Sequence, residues 1–169
     1  MLSLTAVVFT CSSLLSPINA TAQPDLSGHW TMDTAKSTTT GPALPHQATY
    51  DIVQRGDTLI VDRRTTSESG VLENHFIMLL SGAAMPNTLA VMASAGGEAA
   101  ERQEMPATVK ARWVHDTLVS TIAADMHGNE VVLSVRWSLS ADGATLTEER
   151  DGTVNGTSNG SQLVVYRKR

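Results

Sequence analysis

The clearest pattern in the chain is a strict alternation of apolar and polar residues over 130–139. The apolar side consists of Val131, Leu133, Val135, Trp137 and Leu139. A period of two is typical of a β-strand with one buried face and one exposed face. Asp142-Gly143 follows, and Asp-Gly supplies the positive φ of a tight hairpin turn. Because 144–150 alternates again around Leu146, the pattern predicts an antiparallel hairpin.

Most of the remaining chain repeats this rhythm. Further predicted strands cover 26–33, 46–55, 58–66, 71–80, 107–114, 117–124 and 161–167. Short strands at regular spacing indicate an all-β meander, and closing the meander removes edge strands that promote aggregation. We therefore predict an antiparallel up-and-down β-barrel of about 8–9 strands, whose interior is either filled by side chains or holds one small ligand.

The segment 81–106 interrupts the alternation. Thr88–Gln103 is rich in Ala, Met and Glu, and Gly96-Gly97 lies in its middle. Such a composition favours helical turns, but two adjacent glycines oppose a continuous helix. We predict a long loop insert at about 81–106 that includes helical turns.

The first 22 residues have the features of a signal peptide. The segment 1–15 is apolar and is followed by Pro17 and by Ala20-Thr21-Ala22, which suits cleavage after Ala22. A membrane anchor is the alternative, but polar residues interrupt the apolar run, which is shorter than the ~20 residues needed to span a bilayer. We expect one domain over 23–169, a periplasmic or secreted location and no transmembrane segment after cleavage.

The net charge and the motifs argue against nucleic-acid binding, metal or cofactor binding and catalysis. The net charge of −5 argues against binding to nucleic acid. The five histidines show no metal-binding spacing, so we expect neither a metal nor a cofactor. Gly156–Gly160 fits Gly-x-Ser-x-Gly formally, but it lacks the strand and helix of a nucleophile elbow. We therefore expect a protein that is not an enzyme.

The segment around Gly28-His29-Trp30 resembles the start of lipocalins and of their calycin relatives. A wider set of segments is similar to a group of small secreted bacterial proteins of lipocalin-like type. The set comprises Asp25–Trp30, Asp33–Ser37, Gly56–Leu59, Arg112-Trp113, Asp116–Val119, Arg136–Leu146 and Tyr166–Lys168. The resemblance implies a lipocalin-like barrel in which Trp30 closes one end and a basic residue near the C-terminus, Arg167, packs across it.

Two arginine–tryptophan pairs suggest a binding site. In a strand, the members of each pair point to opposite faces. Either one member of each pair lines a cavity, with arginines holding an anionic head group and aromatic rings an apolar body, or the tryptophans are core and the arginines lie in water. The candidate ligand-binding residues are Tyr50, Arg112, Trp113, Arg136 and Trp137.

These observations lead to one functional hypothesis and one alternative. We expect an extracytoplasmic, non-enzymatic binding protein that takes a small, partly apolar ligand into its barrel. The alternative is a structural or protein-interaction module of the cell envelope, with a barrel filled by side chains. The alternation pattern is the same in both cases, because inward residues either pack together or surround a cavity.

Overall fold

The computed structural model describes residues 23–93 and 100–169, so the predicted leader, 1–22, lies outside them. The described part contains a 3₁₀ turn at Thr34–Lys36 and no α-helix. Its strands are β1 Gly28–Met32, β2 Thr38–Thr39, β3 Gln47–Arg55, β4 Thr58–Ser67, β5 Gly70–Leu79, β6 Met85–Ala93, β7 Glu101–Val114, β8 Thr117–Met126, β9 Asn129–Leu139, β10 Thr145–Val154 and β11 Thr157–Lys168. No helix in this part is long and apolar enough to cross a membrane.

The strands form one antiparallel sheet in the order β5-β4-β3-β1-β11-β10-β9-β8-β7-β6, with β2 beside β11. The sheet curls until its two end strands, β5 and β6, lie side by side, which makes a nearly closed barrel. This confirms an antiparallel all-β barrel. The expected number of strands was too low, because ten strands lie on the main path and β2 adds an eleventh.

The segment 81–106 is the main source of that error. It is not a loop insert: β6 runs through it and pairs with the first half of β7, with Leu89 opposite Met105. The alternation was hidden because the adjacent residues Leu89 and Ala90 are both buried. Pairing with β7 outweighs the helical preference of Ala, Met and Glu, as tertiary context often does. Gly96-Gly97 lies outside the described residues.

The predicted hairpin is present as β9 and β10. Gly143 has a φ of 68°, which suits the turn between them. Trp137 and Glu148 are directly opposite in the register, and both are buried. Because directly opposite residues point to the same face, the hairpin brings an indole and a carboxylate together inside the barrel.

Trp30 is fully buried in the middle of β1, and its Nε1 donates a hydrogen bond to the Leu26 carbonyl at 3.0 Å. The basic residue that packs across it is Lys168, whose Nζ lies 5.2 Å from the ring centroid. This corrects the expectation for Arg167, which faces outward toward Asp33. The reason is register: Lys168 lies opposite Trp30, so its sequence neighbour points to the other face.

Gly28 explains the Gly-x-Trp pattern in physical terms. A Cβ at this position would lie 2.6 Å from Cε of Lys168, and the φ of +145° is strained for any other residue. The missing side chain therefore leaves room for the lysine stem to reach Trp30.

Candidate ligand-binding site

The barrel interior contains a cavity of about 170 Å³. Its wall is mostly apolar and combines side chains from β3, β4, β5, β6, β8, β9 and β10. The lining residues are Tyr50, Val61, Arg63, Leu72, Asn74, Phe76, Met78, Leu89, Ala90, Val91, Met92, Ser120, Ile122, Leu133, Val135, Trp137 and Arg150. The volume is below the ~300 Å³ at which small-molecule pockets usually begin, so a ligand must be compact or must displace flexible methionines.

Glu148 is fully buried and lies at the centre of a polar cluster beside the cavity. Its Oε2 accepts hydrogen bonds from the Tyr50 hydroxyl at 2.5 Å and from Trp137 Nε1 at 2.8 Å. Its Oε1 forms a salt bridge with Arg150, whose side chain is only 16% exposed. Arg150 also donates to the Tyr50 hydroxyl and, at 3.4 Å, to Gln162. The carboxylate is therefore paired with a charge and fully hydrogen-bonded, as a buried charge must be.

Burial and neighbouring charges determine which groups of this cluster are ionised at neutral pH. Burial opposes ionisation of Glu148, but the charges of Arg150 and Arg63, together with the hydrogen bonds from Tyr50 and Trp137, keep the pKa of Glu148 below its usual 4.5. Burial and then the charge of Glu148 raise the pKa of Tyr50 to about 12. Burial likewise raises the pKa of Tyr166 well above 10. At neutral pH the carboxylate is charged, and both phenols keep their protons.

Arg63 is the cation that the cluster does not neutralise. It points inward from β4, directly opposite Tyr50 on β3, and borders the cavity. Its Nε is buried and has no hydrogen-bond partner, and no ion pair among the described residues includes it. A buried donor without a partner costs about 1–3 kcal/mol, so this guanidinium favours an acceptor within the cavity.

The ligand-binding residues predicted from sequence lie in three different places. Tyr50 and Trp137 line the cavity, with ring centroids 5.5 Å apart. Arg112 and Arg136 lie on the outer surface, where Arg136 pairs with exposed carboxylates of β10, so their expected position in the cavity is corrected. Trp113 is half-buried against the core and does not border the cavity.

The sequence contained a signal for the residues that were missed. Arg63 continues the apolar side of its strand after Leu59 and Val61, and Glu148 and Arg150 continue the side of Leu146. A charged residue in an apolar row of a predicted strand points into the barrel. Arg112 and Arg136, in contrast, alternate with the apolar residues of their strands and therefore point outward.

Comparison with known proteins identifies the fold. No family model and no curated protein matches the chain. Among solved structures, an SAHS (abundant heat soluble) protein from Ramazzottius varieornatus matches at 12% identity with a TM-score of 0.51, covering 85% of this chain and 94% of that one. The fluorescent protein UnaG matches at 14% identity with a TM-score of 0.48, covering 85% and 96%. A zebrafish ileal bile acid-binding protein complexed with cholic acid matches at 12% identity with a TM-score of 0.41, covering 85% and 98%.

The match to the SAHS protein supports the calycin-type barrel that the sequence resemblance implied. Identity this low concerns the fold alone, since the same fold carries unrelated functions. The cavity and its charges are therefore the features that bear on function.

Proposed function

We propose that the protein is an extracytoplasmic, non-enzymatic binding protein for a small, partly apolar ligand that carries one anionic group. The observation that carries this proposal is the buried, unpartnered Nε of Arg63 at a mostly apolar cavity. An anionic oxygen is the acceptor that a guanidinium binds most strongly, often through two parallel hydrogen bonds.

The charge balance supports a single anionic group. Glu148 is neutralised by its salt bridge with Arg150, and Arg63 is left with one uncompensated positive charge. A monoanion beside Arg63, which is half-buried, balances its charge and leaves the interior neutral.

The shape and lining of the cavity support an apolar body for the ligand. Phe76, Met78, Ile122 and Val135 form much of its wall. Burial of hydrocarbon against such a wall contributes about 25 cal/mol per Å². The methionines adapt their shape more readily than branched side chains, so a ligand somewhat larger than 170 Å³ is accommodated by repacking.

The state of Glu148 favours binding over acid–base catalysis. A general base needs a pKa near the working pH and a free lone pair within reach of a substrate proton. The carboxylate is instead held ionised by Tyr50, Trp137 and Arg150, and its pKa lies below 4.5. The cavity wall, as formed by the described residues, includes no carboxylate and no histidine.

The extracytoplasmic part of the proposal rests on the sequence features of the leader. An apolar stretch followed by Pro17 and by Ala20-Thr21-Ala22 is typical of a cleaved signal peptide. Mass spectrometry of the exported protein tests it: a mature chain starting at Gln23 is expected, and an unprocessed chain that stays in the cytoplasm contradicts it.

The small volume of the cavity favours one second candidate. With only about 170 Å³ free, the barrel is nearly filled by its own side chains, as in a structural or protein-interaction module of the envelope. Titration of the purified protein with octanoate separates the candidates, because Trp137 in the cavity wall reports occupancy through its fluorescence. Saturable quenching with a matching heat in calorimetry supports binding. Octanoate, benzoate and octanol all failing to bind would favour the filled barrel.

A further inference from the structure

The contact between β5 and β6 differs from the other joints of the barrel. Within residues 23–93 and 100–169, it is the joint between neighbouring barrel strands at which no backbone ladder forms, although the two strands lie side by side. We refer to this joint as the seam.

Two asparagine side chains bridge the seam in place of the missing ladder. Asn87 on β6 accepts from the amide of Ile77 at 2.8 Å and donates to its carbonyl at 2.9 Å. Asn74 on β5 does the same to Ala90, at 2.7 Å and 3.2 Å. Each side-chain amide therefore satisfies both backbone groups of one residue on the opposite strand. A side chain releases these bonds by rotating about χ1 and χ2, whereas a ladder opens only when backbone strands separate.

The seam also separates two spaces. Outside it lies an open groove of about 820 Å³ over β3–β7, and inside it lies the cavity. Arg63, Asn74 and Ala90 border both spaces. Arg63 and Asn74 are directly opposite in the register of β4 and β5, so the unpaired guanidinium lies beside the bridging amide. The partition between solvent and cavity is therefore a single layer of side chains at this place.

Arg63 also differs from the other described arginines of the groove. Arg64 is paired with Glu73, Arg102 with Glu104, and His75 with Asp62 at 2.6 Å. Among the described arginines of the groove, Arg63 is the one without a carboxylate partner. An anionic group that reaches the seam therefore meets a guanidinium that is not paired with a carboxylate among the described residues.

Described residues make fixed contacts at both ends of the barrel. Leu26 and Trp30 fill one end, with Lys168 across the ring. At the other end, the loop 40–46 is fastened to β11, where Gln162 donates to the Pro42 carbonyl at 2.9 Å. Gly41 packs so closely on this strand that a Cβ there would lie 2.4 Å from the carbonyl oxygen of Asn159.

We propose that the anionic ligand reaches the cavity laterally, through the seam, when Asn87 and Asn74 release the opposite strand. The proposal rests on the proposed function, since it names the route to the same site. Substitution of Asn87 tests this route, because Asn87 bridges the seam on the groove side and does not line the cavity. A change at Asn87 alters the barrier of access but not the contacts of the bound ligand.

The experiment is stopped-flow measurement of octanoate association and dissociation by tryptophan fluorescence. In Asn87→Ala both rates should rise about tenfold, as expected for two lost hydrogen bonds, with the equilibrium affinity unchanged. The matched control is Thr40→Val, which removes the hydroxyl that bonds Ser161 in the loop over the barrel end. Its rates should equal those of the parent protein. Faster exchange in Thr40→Val, with parent rates in Asn87→Ala, overturns the proposal.

Asn87→Asp is the second variant, which keeps the acceptor for the Ile77 amide and loses the donor to its carbonyl. Its carboxylate repels that carbonyl, so octanoate should again dissociate faster than from the parent, and it replaces Asn87→Ala if that variant fails to fold. Hydrogen exchange at the Ile77 amide should speed up in Asn87→Ala and less in Asn87→Asp. If the parent binds octanoate and both variants exchange it at parent rates, only the seam route fails. If the parent binds no octanoate, benzoate or octanol, the proposed function itself fails.

Discussion

The hydroxyl of Tyr50 on β3 donates a hydrogen bond of 2.5 Å to Glu148 on β10, and both side chains are buried. In the sheet, β1 and β11 lie between these strands, so the bond joins elements that no ladder connects. Tyr50 also contacts Trp137 and Tyr166, with ring centroids 5.5 Å and 4.9 Å away. The interior is thus organised by one carboxylate and the aromatic and cationic groups around it.

We predict that Glu148→Gln strongly destabilises the fold. The amide leaves the buried charge of Arg150 without its partner and directs N–H groups at donors. Removing one member of a buried ion pair costs about 3–5 kcal/mol. Urea unfolding measures the free energy, and a loss below about 1 kcal/mol would show that the cluster is no buried ion pair.

Glu149→Gln is the matched control for this prediction. The residue is next in the chain, but it faces outward and pairs with Arg136 in a bridge whose side chains are about half exposed. Exposed pairs contribute about 0–1 kcal/mol, so we expect little change in the unfolding midpoint. Equal losses in the two variants would mean that the carboxylates are not on opposite faces.

Acid should weaken the parent more than the Glu148→Gln variant. The pKa of Glu148 lies below 4.5 in the folded state, so its contribution to the free energy of unfolding is complete above about 4.5 and is lost as the pH falls through the lower folded value. Unfolding curves at a series of pH values measure this. Parallel pH dependences in the two proteins would exclude Glu148 as the source.

Alkaline titration should reveal no ordinary tyrosine in the folded protein. The chain has two tyrosines, and burial raises the pKa of Tyr50 to about 12 and that of Tyr166 well above 10. Phenolate absorbance should be absent from the folded protein at a pH of about 10, at which the urea-unfolded chain is half ionised. Each neutral phenol stabilises the fold fully below its unfolded pKa, and this stabilisation is lost as the pH rises through its folded pKa, which is about 12 for Tyr50. Half of the phenolate signal appearing near pH 10 in the folded state would place one tyrosine in solvent.

The packing of Lys168 on Trp30 gives a spectroscopic prediction. Lys168→Ala removes the stem and the ammonium that lie over the indole, which contribute about 0.5–1 kcal/mol at an exposed site. The emission of Trp30 should shift to the red as solvent reaches the ring. Arg167→Ala serves as the control, because that side chain points toward Asp33, and it should leave the emission unchanged. A larger shift in Arg167→Ala than in Lys168→Ala would mean that Arg167, and not Lys168, covers Trp30.

Alternation in the sequence was sufficient to predict the barrel strands wherever one face is apolar and the other polar. It failed at β6, where the adjacent Leu89 and Ala90 are both buried and the composition favours helix. The pairing of β1 with β11 joins the two ends of the chain, so its register could not be obtained from local pattern. That register decides whether Arg167 or Lys168 covers Trp30.

The sequence allows part of the polar interior to be predicted. Arg63 and Glu148 occupy the apolar side of predicted strands, and this parity alone places them inside. Their roles were not accessible, because a charge inside a barrel is either paired or free, depending on residues far away in sequence. In the structure, Glu148 is paired, because it forms a salt bridge with Arg150. Arg63 is unpaired, because its buried Nε has no partner.

Arg63→Met, compared with Arg64→Met, tests the central claim that Arg63 binds an anionic group inside the barrel. Arg64 is adjacent but faces outward and pairs with Glu73, so it is a matched control. Calorimetry with octanoate and with octanol should show that Arg63→Met loses about 10- to 100-fold in affinity for the carboxylate and little for the alcohol, with Arg64→Met unchanged for both. If Arg63→Met binds octanoate as tightly as the parent does, the claim is contradicted.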